Sequence, residues 1–237
     1  MKKDRVNGIL IGIFYIVAAA SAVIAVLLYQ PLLSGDWYMA VVNGSKTAIL
    51  VGVMNDILLI VTAVGTAVML FPYVRLWNEH SALAYLCFRF MEAVFIAMGV
   101  VSILGLLGLS SDYGVGQFVN EGAYHQIGSV LQSFHAWTAI LGPNLMLGLN
   151  TLLYSYLLNK TEIIPKRLAI FGMLTAVMVF LAGLLDMFGI IGSFSTIKGI
   201  IALPIAIYEL SLATWLIIKG FNTKKLEILR GSKSYAE

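Results

Sequence analysis

Six polar residues stand in stretches where polar residues are otherwise rare: Asp56, Arg89, Glu92, His135, Asn144 and Glu209. Arg89 and Glu92 are three positions apart, which on a helix puts a guanidinium and a carboxylate on one face, where they can pair. Such a pair either locks helix packing or lines a polar cavity. With Asp186 there are four embedded carboxylates against one arginine and one histidine. The surplus acids must be protonated, hydrated in a water-filled cavity, or matched by a bound cation or cationic ligand. Each option demands a polar interior. His135 adds an acid–base group that, beside a carboxylate, would suit an enzyme acting on a lipid or isoprenoid.

The stretches that hold these residues are apolar enough to make their presence costly. Of 237 residues, 60% are hydrophobic and 11% charged, against roughly 25% charged in a soluble domain. Breaks at polar, Gly and Pro residues divide the chain into runs at about 8–29, 48–71, 82–109, 128–158, 168–191 and 199–218. About 20 apolar residues cross a bilayer as a helix. The expectation is therefore an all-α, polytopic membrane helix bundle with six transmembrane helices in a single domain, 1–237. An ionisable side chain at the centre of such a helix costs about 2.5 to 3.5 kcal/mol. The N-terminal run, continuing to Leu28, reads as a retained helix rather than a cleaved signal. Gly142-Pro143 should kink the fourth helix.

Lys and Arg outside these runs fall on alternate connections. Lys2, Lys3, Arg5, Arg75, Lys160, Lys166, Arg167 and the tail cations Lys219, Lys224, Lys225, Arg230 and Lys233 share one side, while Lys46 and Lys198 take the other. The positive-inside rule then puts both termini in the cytoplasm and the protein in the cell membrane. The net charge of +3 thus reflects topology and needs no nucleic acid as partner. The basic tail favours anionic membrane lipids.

With this orientation Asp56, His135 and Asp186 fall in the outer half of the membrane, and Glu92, Asn144 and Glu209 near its middle. A pocket opening outward and floored by Glu92, Glu209 and Arg89 is the simplest arrangement, with Asp186 exposed at the interface. On an ideal fourth helix Gln132, His135, Asn150 and Tyr154 form one stripe, from which Asn144 points away. Trp37, Tyr38, Tyr113 and Tyr124 in the outer loops mark the water interface. Cys87 reads as a small core residue.

Several chemistries lack their residues. No helix interior carries a lysine for a Schiff base. Only His135 of the three histidines is embedded, so bis-histidine haem is excluded and a His135–Met pair is the remaining haem ligation. There is no His-Glu-x-x-His, Gly-x-Ser-x-Gly, Walker A or Rossmann pattern. The sequence implies no cofactor and no metal.

Phe88-Arg89-Phe90-Met91-Glu92-Ala93 resembles the Arg-x-x-Glu segment of a domain-of-unknown-function family of polytopic bacterial and archaeal integral membrane proteins. Ser133-Phe134-His135, Leu147-Gly148, Ile164-Pro165-Lys166-Arg167-Leu168-Ala169 and Tyr208-Glu209-Leu210-Ser211-Leu212-Ala213-Thr214-Trp215-Leu216 extend the resemblance over nearly the whole chain. It implies a polytopic membrane protein and matches the polar pattern at Arg89, Glu92, His135 and Glu209, without giving those residues a role. The leading expectation is a protein that binds or transports a small ligand, cation or proton through a polar intramembrane cavity. A lipid-active enzyme and a structural or regulatory subunit are the alternatives.

Overall fold

A computed structural model describes residues 2–33, 35–114, 116, 121–192 and 196–234, with the side chains of 196–199, 202 and 233–234 outside that description. The side chains of Lys198 and Lys233, two of the loop and tail cations, are therefore outside it, as are residues 115 and 117–120 between the third and fourth apolar runs.

The described residues form helices joined by short turns: α1 (Lys2–Leu33), α2 (Lys46–Val74), α3 (Glu79–Gly114), α4 (Glu121–Ile140), a π-turn (Leu141–Met146), α5 (Leu147–Thr161), α6 (Lys166–Met187), α7 (Thr196–Ile218) and α8 (Thr223–Ser234). A short 3₁₀ turn, Trp37–Met39, follows α1. Among the described residues four helices, α1, α2, α3 and α6, are each long and apolar enough to cross a membrane, and the bent pair α7–α8, turning by 90°, would make a fifth. Their outward faces carry Leu27, Val61, Val101 and Leu174, each more than half exposed, as bilayer-facing helices do.

The helices outrun the apolar runs. His80 and His125 lie in α3 and α4 rather than in loops, because polar first turns continue a helix without needing burial. In the other direction, α6 stops at Met187 rather than at 191. Gly189 takes a left-handed conformation (φ 68°), and the N–H groups of Ile190 and Ile191 fold back to the Leu185 carbonyl, a glycine-terminated helix end. Cys87 is exposed, not in the core, because it sits on the outward face of α3.

Helices α1, α2, α3, α5, α6 and α7 close into a ring of neighbours, and α4 packs outside it, mainly on α3. Small residues allow the close approaches, since lipid tails give no hydrophobic drive for helices to associate. At Gly12 a Cβ would come 2.7 Å from the Ala213 carbonyl of α7. Two apolar clusters result, one around Tyr15, Tyr85, Tyr154 and Tyr208, the other around Tyr29, Trp37, Ile49 and Val100. Along α3, Arg89 and Glu92 fall between Tyr85 of the first and Val100 of the second. A polar layer therefore separates two apolar halves.

At one end of the bundle the chain termini meet. Arg5 donates to the carbonyls of Leu216, Ile217 and Ile218 at the end of α7, satisfying carbonyls that a helix C-terminus leaves without partners. Arg230 of α8 grips Asp4 of α1, and Leu226 of α8 is buried. The opposite end is covered by an aromatic cap. Trp37 is buried there instead of facing the water interface, because α4 presents Gly128 to its indole with no Cβ between them. Tyr38 packs edge-on to His125 and tilted against Tyr113, with ring centroids 4.9 Å apart in both pairs.

Candidate functional site

The polar layer is built on the Arg89–Glu92 spacing. Both residues are buried, and Nη1 of Arg89 donates to Oε2 of Glu92 at 2.9 Å. Nε of Arg89 donates to the Ala63 carbonyl of α2 at 3.1 Å. Asn150 of α5 donates to the same Glu92 oxygen and to the Met146 carbonyl at 2.9 Å. Two residues of α3 thus tie α2 and α5 together, and the ion pair is hydrogen-bonded on both sides, as a buried pair must be to offset its desolvation.

Glu209 of α7 lies within electrostatic range of Arg89 and Glu92. Its Oε1 is buried without a hydrogen-bond partner. Tyr208 beside it has its hydroxyl 2.8 Å from Ser155 Oγ.

The cavity lies elsewhere. A partly open space of about 390 Å³ is bordered by α1, α2, α3, α4 and the π-turn, and its polar lining comes from Tyr29, Asp56, His135 and Thr138. Arg89, Glu92 and Glu209 do not line it, contrary to the pocket expected from sequence depth. The π-turn is the reason: Gly142 comes so close to α3 that a Cβ there would stand 2.7 Å from Cβ of Phe95 and 3.3 Å from the Glu92 carbonyl. Protein fills the space above Glu92, and the void is displaced toward Asp56 and His135.

Asp56 is buried and accepts a 2.9 Å hydrogen bond from the Tyr29 hydroxyl on Oδ2. His135 is half-buried. Its Nδ1 is 3.3 Å from the Gly99 carbonyl, and its ring meets Tyr29 edge-on with centroids 6.2 Å apart. Gly99 makes this possible, since a Cβ there would come 3.0 Å from Thr138 Oγ1 and 3.3 Å from Nδ1 of His135. Asp56 and His135, distant in sequence, therefore share one cavity through Tyr29. Sequence reading missed Tyr29; its place near the end of an apolar run makes it look like an interfacial tyrosine.

Asn144 belongs to neither group. Its side chain donates to the Ala139 carbonyl at 2.8 Å, the acceptor four residues before Pro143 that the missing proline N–H leaves free. The π-turn also breaks the ideal stripe on the fourth segment. Gln132 donates to the Leu32 carbonyl, His135 faces the cavity, Asn150 binds Glu92, and Tyr154 joins the tyrosine cluster. Asp186 is buried, not exposed at an interface, because α6 ends just beyond it and folds back through Gly189.

At the termini end, Glu162 takes a left-handed conformation (φ 53°) at the end of α5. Its carboxylate pairs with Lys166 at 2.7 Å and with Lys225 of α8 at 2.6 Å. These two ammonium groups hold its carboxyl well below the usual range, at about 2.

The family model described as a domain of unknown function (DUF4386) matches residues 10–220. No curated protein matches the chain, and no solved structure does.

Proposed function

The chain belongs to this family of unknown function, DUF4386, and from that premise we propose a multi-pass membrane protein that binds a small amphipathic molecule in the Asp56–Tyr29–His135 cavity. One observation carries this reading: Asp56, a buried carboxylate, faces a cavity of about 390 Å³ with no cationic side chain beside it among the described residues. Burying such a group unpaired is costly. A fold that keeps it beside a largely apolar cavity is suited to a ligand that completes it.

In this reading α4, the π-turn and α5 form one continuous crossing, and α7 another, giving six spans. Both termini face the cytoplasm. The support is the gathering of Arg5, Arg75, Lys160, Lys166, Lys225 and Arg230 toward the end where α1 and α8 meet, together with the positive-inside rule. Arg89, Glu92 and Asn150 hold the bundle in register and are not part of the ligand site.

The test is native mass spectrometry of the protein extracted into lipid nanodiscs. A discrete small-molecule adduct is expected on the wild type, lost in Asp56→Asn and retained in Asn150→Ala. The same adduct on wild type and Asp56→Asn, or none on either, overturns the proposal.

A second reading, an intramembrane enzyme acting on a lipid or isoprenoid, draws on the shared cavity of His135 and Asp56. Tyr29 touches both, by a hydrogen bond to Asp56 and a ring contact with His135, so groups for acid–base chemistry share the cavity. Turnover of an added lipid that disappears in His135→Gln while adduct binding persists would favour this reading over simple binding.

A further inference from the structure

We infer that the ligand of this cavity is a lipophilic amine, and that it reaches Asp56 sideways from the bilayer through the gap between α1 and α4. The inference rests on the ligand-cavity reading and deepens it.

The chemical class follows from which hydrogens are already used. The Tyr29 hydroxyl donates to Asp56, and the Thr138 hydroxyl donates to the His135 carbonyl at 2.8 Å. Nδ1 of His135 faces a carbonyl, which only accepts, so Nδ1 carries the ring hydrogen. The neutral imidazole then has only a lone pair at Nε2. Every polar side chain lining the cavity has spent its donor on the protein. Left over are acceptors: Oδ1 of Asp56, the Tyr29 oxygen, Nε2 of His135 and Oγ1 of Thr138. A ligand with several N–H groups and a positive charge satisfies this set, and an ammonium on Asp56 also supplies the missing cation. A carboxylate or phosphate would bring more acceptors and a like charge against Asp56.

The rest of the wall is apolar, from Leu33, Leu59, Phe95 and Ile96 among others, so the body of the ligand is hydrocarbon. Its route follows from the packing. Helices α1 and α4 meet only sparsely, through the Gln132–Leu32 hydrogen bond and the Tyr29–His135 ring contact, yet both line the cavity. The α1 residues at that seam, Ala22 and Val26, are exposed on the outside of the bundle while contributing to the cavity wall. In a membrane that outer surface meets lipid. The cap over the end of the bundle, by contrast, is closed by the buried Trp37. A lipophilic amine concentrated in the bilayer therefore meets an opening at Val26 and a carboxylate behind it.

The experiment offers three chain-matched probes, dodecylamine, dodecanol and dodecanoic acid, at equal mole fraction in phosphatidylcholine nanodiscs holding the full chain, with bound probe read by native mass spectrometry. Dodecylamine is expected to be retained at least tenfold above the other two and to fall to their level in Asp56→Asn, with thermal unfolding confirming that the variant is folded. Equal retention of all three probes overturns the amine assignment while leaving an apolar ligand cavity. No retention of any probe removes the cavity reading as well. For the route, Val26→Trp is expected to slow dodecylamine uptake at least tenfold relative to Val26→Ala, whereas Trp37→Ala leaves the rate unchanged. Faster uptake in Trp37→Ala with no effect of Val26→Trp would overturn the lateral route.

Discussion

Asn150 donates its amide to the same oxygen of Glu92 that Arg89 holds at 2.9 Å, so one carboxylate oxygen on α3 fastens both its own helix neighbour and α5. The consequence is asymmetric. Removing Arg89 leaves Glu92 buried with a single amide partner, and Arg89→Ala should destabilise the fold by about 3 to 5 kcal/mol. Asn150→Ala, which removes a hydrogen bond to a charged group, should cost about 1.5 to 3 kcal/mol. Replacing both charges, Arg89→Met with Glu92→Met, should recover most of the Arg89→Ala loss. Denaturant unfolding in a mild detergent measures all three, and a double variant no more stable than Arg89→Ala would contradict a packing role.

The attachment of α8 should depend on pH and salt through Asp4, whose carboxyl Arg230 holds at about 2, and through Glu162. Its folded value of about 2 lies below the ordinary carboxylate range. The stabilisation is therefore fully present above the unfolded value of roughly 4.3 and is lost as pH falls through about 2. Lys225 is 43% exposed in its side chain, so salt should also weaken the contact at neutral pH. A spin label at Lys224→Cys, in a Cys87→Ser background, should stay immobile at pH 5 and loosen as pH falls toward 2 or as salt approaches 1 M. An unchanged spectrum in both titrations would show that burial of Leu226 and Phe221 alone holds α8.

How far the sequence anticipated this arrangement differs from element to element. The ion pair was legible because a three-residue spacing on one helix is local geometry, independent of what packs around it. The partners of that pair were not, since the Ala63 carbonyl and the Asn150 amide come from other helices and leave no mark on the spacing. The Asp56–His135 cavity was not anticipated, for a similar reason. Depth counted along ideal helices puts Glu92 and Glu209 at the level of an opening, but a six-residue π-turn and the contact of Gly142 with Phe95 fill that level. The tail was read correctly as basic, yet its pairing with Asp4 and Glu162 needs the termini to meet, which composition does not reveal.

The cap end depends on one glycine. A methyl group at Gly128 would run into the Trp37 indole, and Trp37 in turn orders Tyr38, whose carbonyl accepts from Ser110 Oγ at 3.0 Å. Gly128→Ala should cost about 1 to 3 kcal/mol through overpacking, less any gain in helix propensity, which is about 1 kcal/mol at most. Gly108→Ala is a control, because nothing lies near its missing side chain, and it should be neutral or stabilising. Thermal unfolding that ranks Gly128→Ala at or above Gly108→Ala would mean that the cap yields without loss.

Pro143 and Asn144 offer a closed cycle on the π-turn. Proline removes the N–H that would serve the Ala139 carbonyl, and the Asn144 side chain supplies a replacement at 2.8 Å. If that is the purpose of Asn144, its value depends on Pro143. Asn144→Leu alone should cost about 1 to 3 kcal/mol, because a buried carbonyl is left without a donor. In a Pro143→Ala background the backbone N–H returns and the helix can regain its regular bond, so Asn144→Leu should cost less than half as much. The difference is a coupling energy, obtained from denaturant unfolding of the four proteins. Equal costs in both backgrounds would show that Asn144 serves something other than the broken backbone, and would return it to the list of groups available to a ligand.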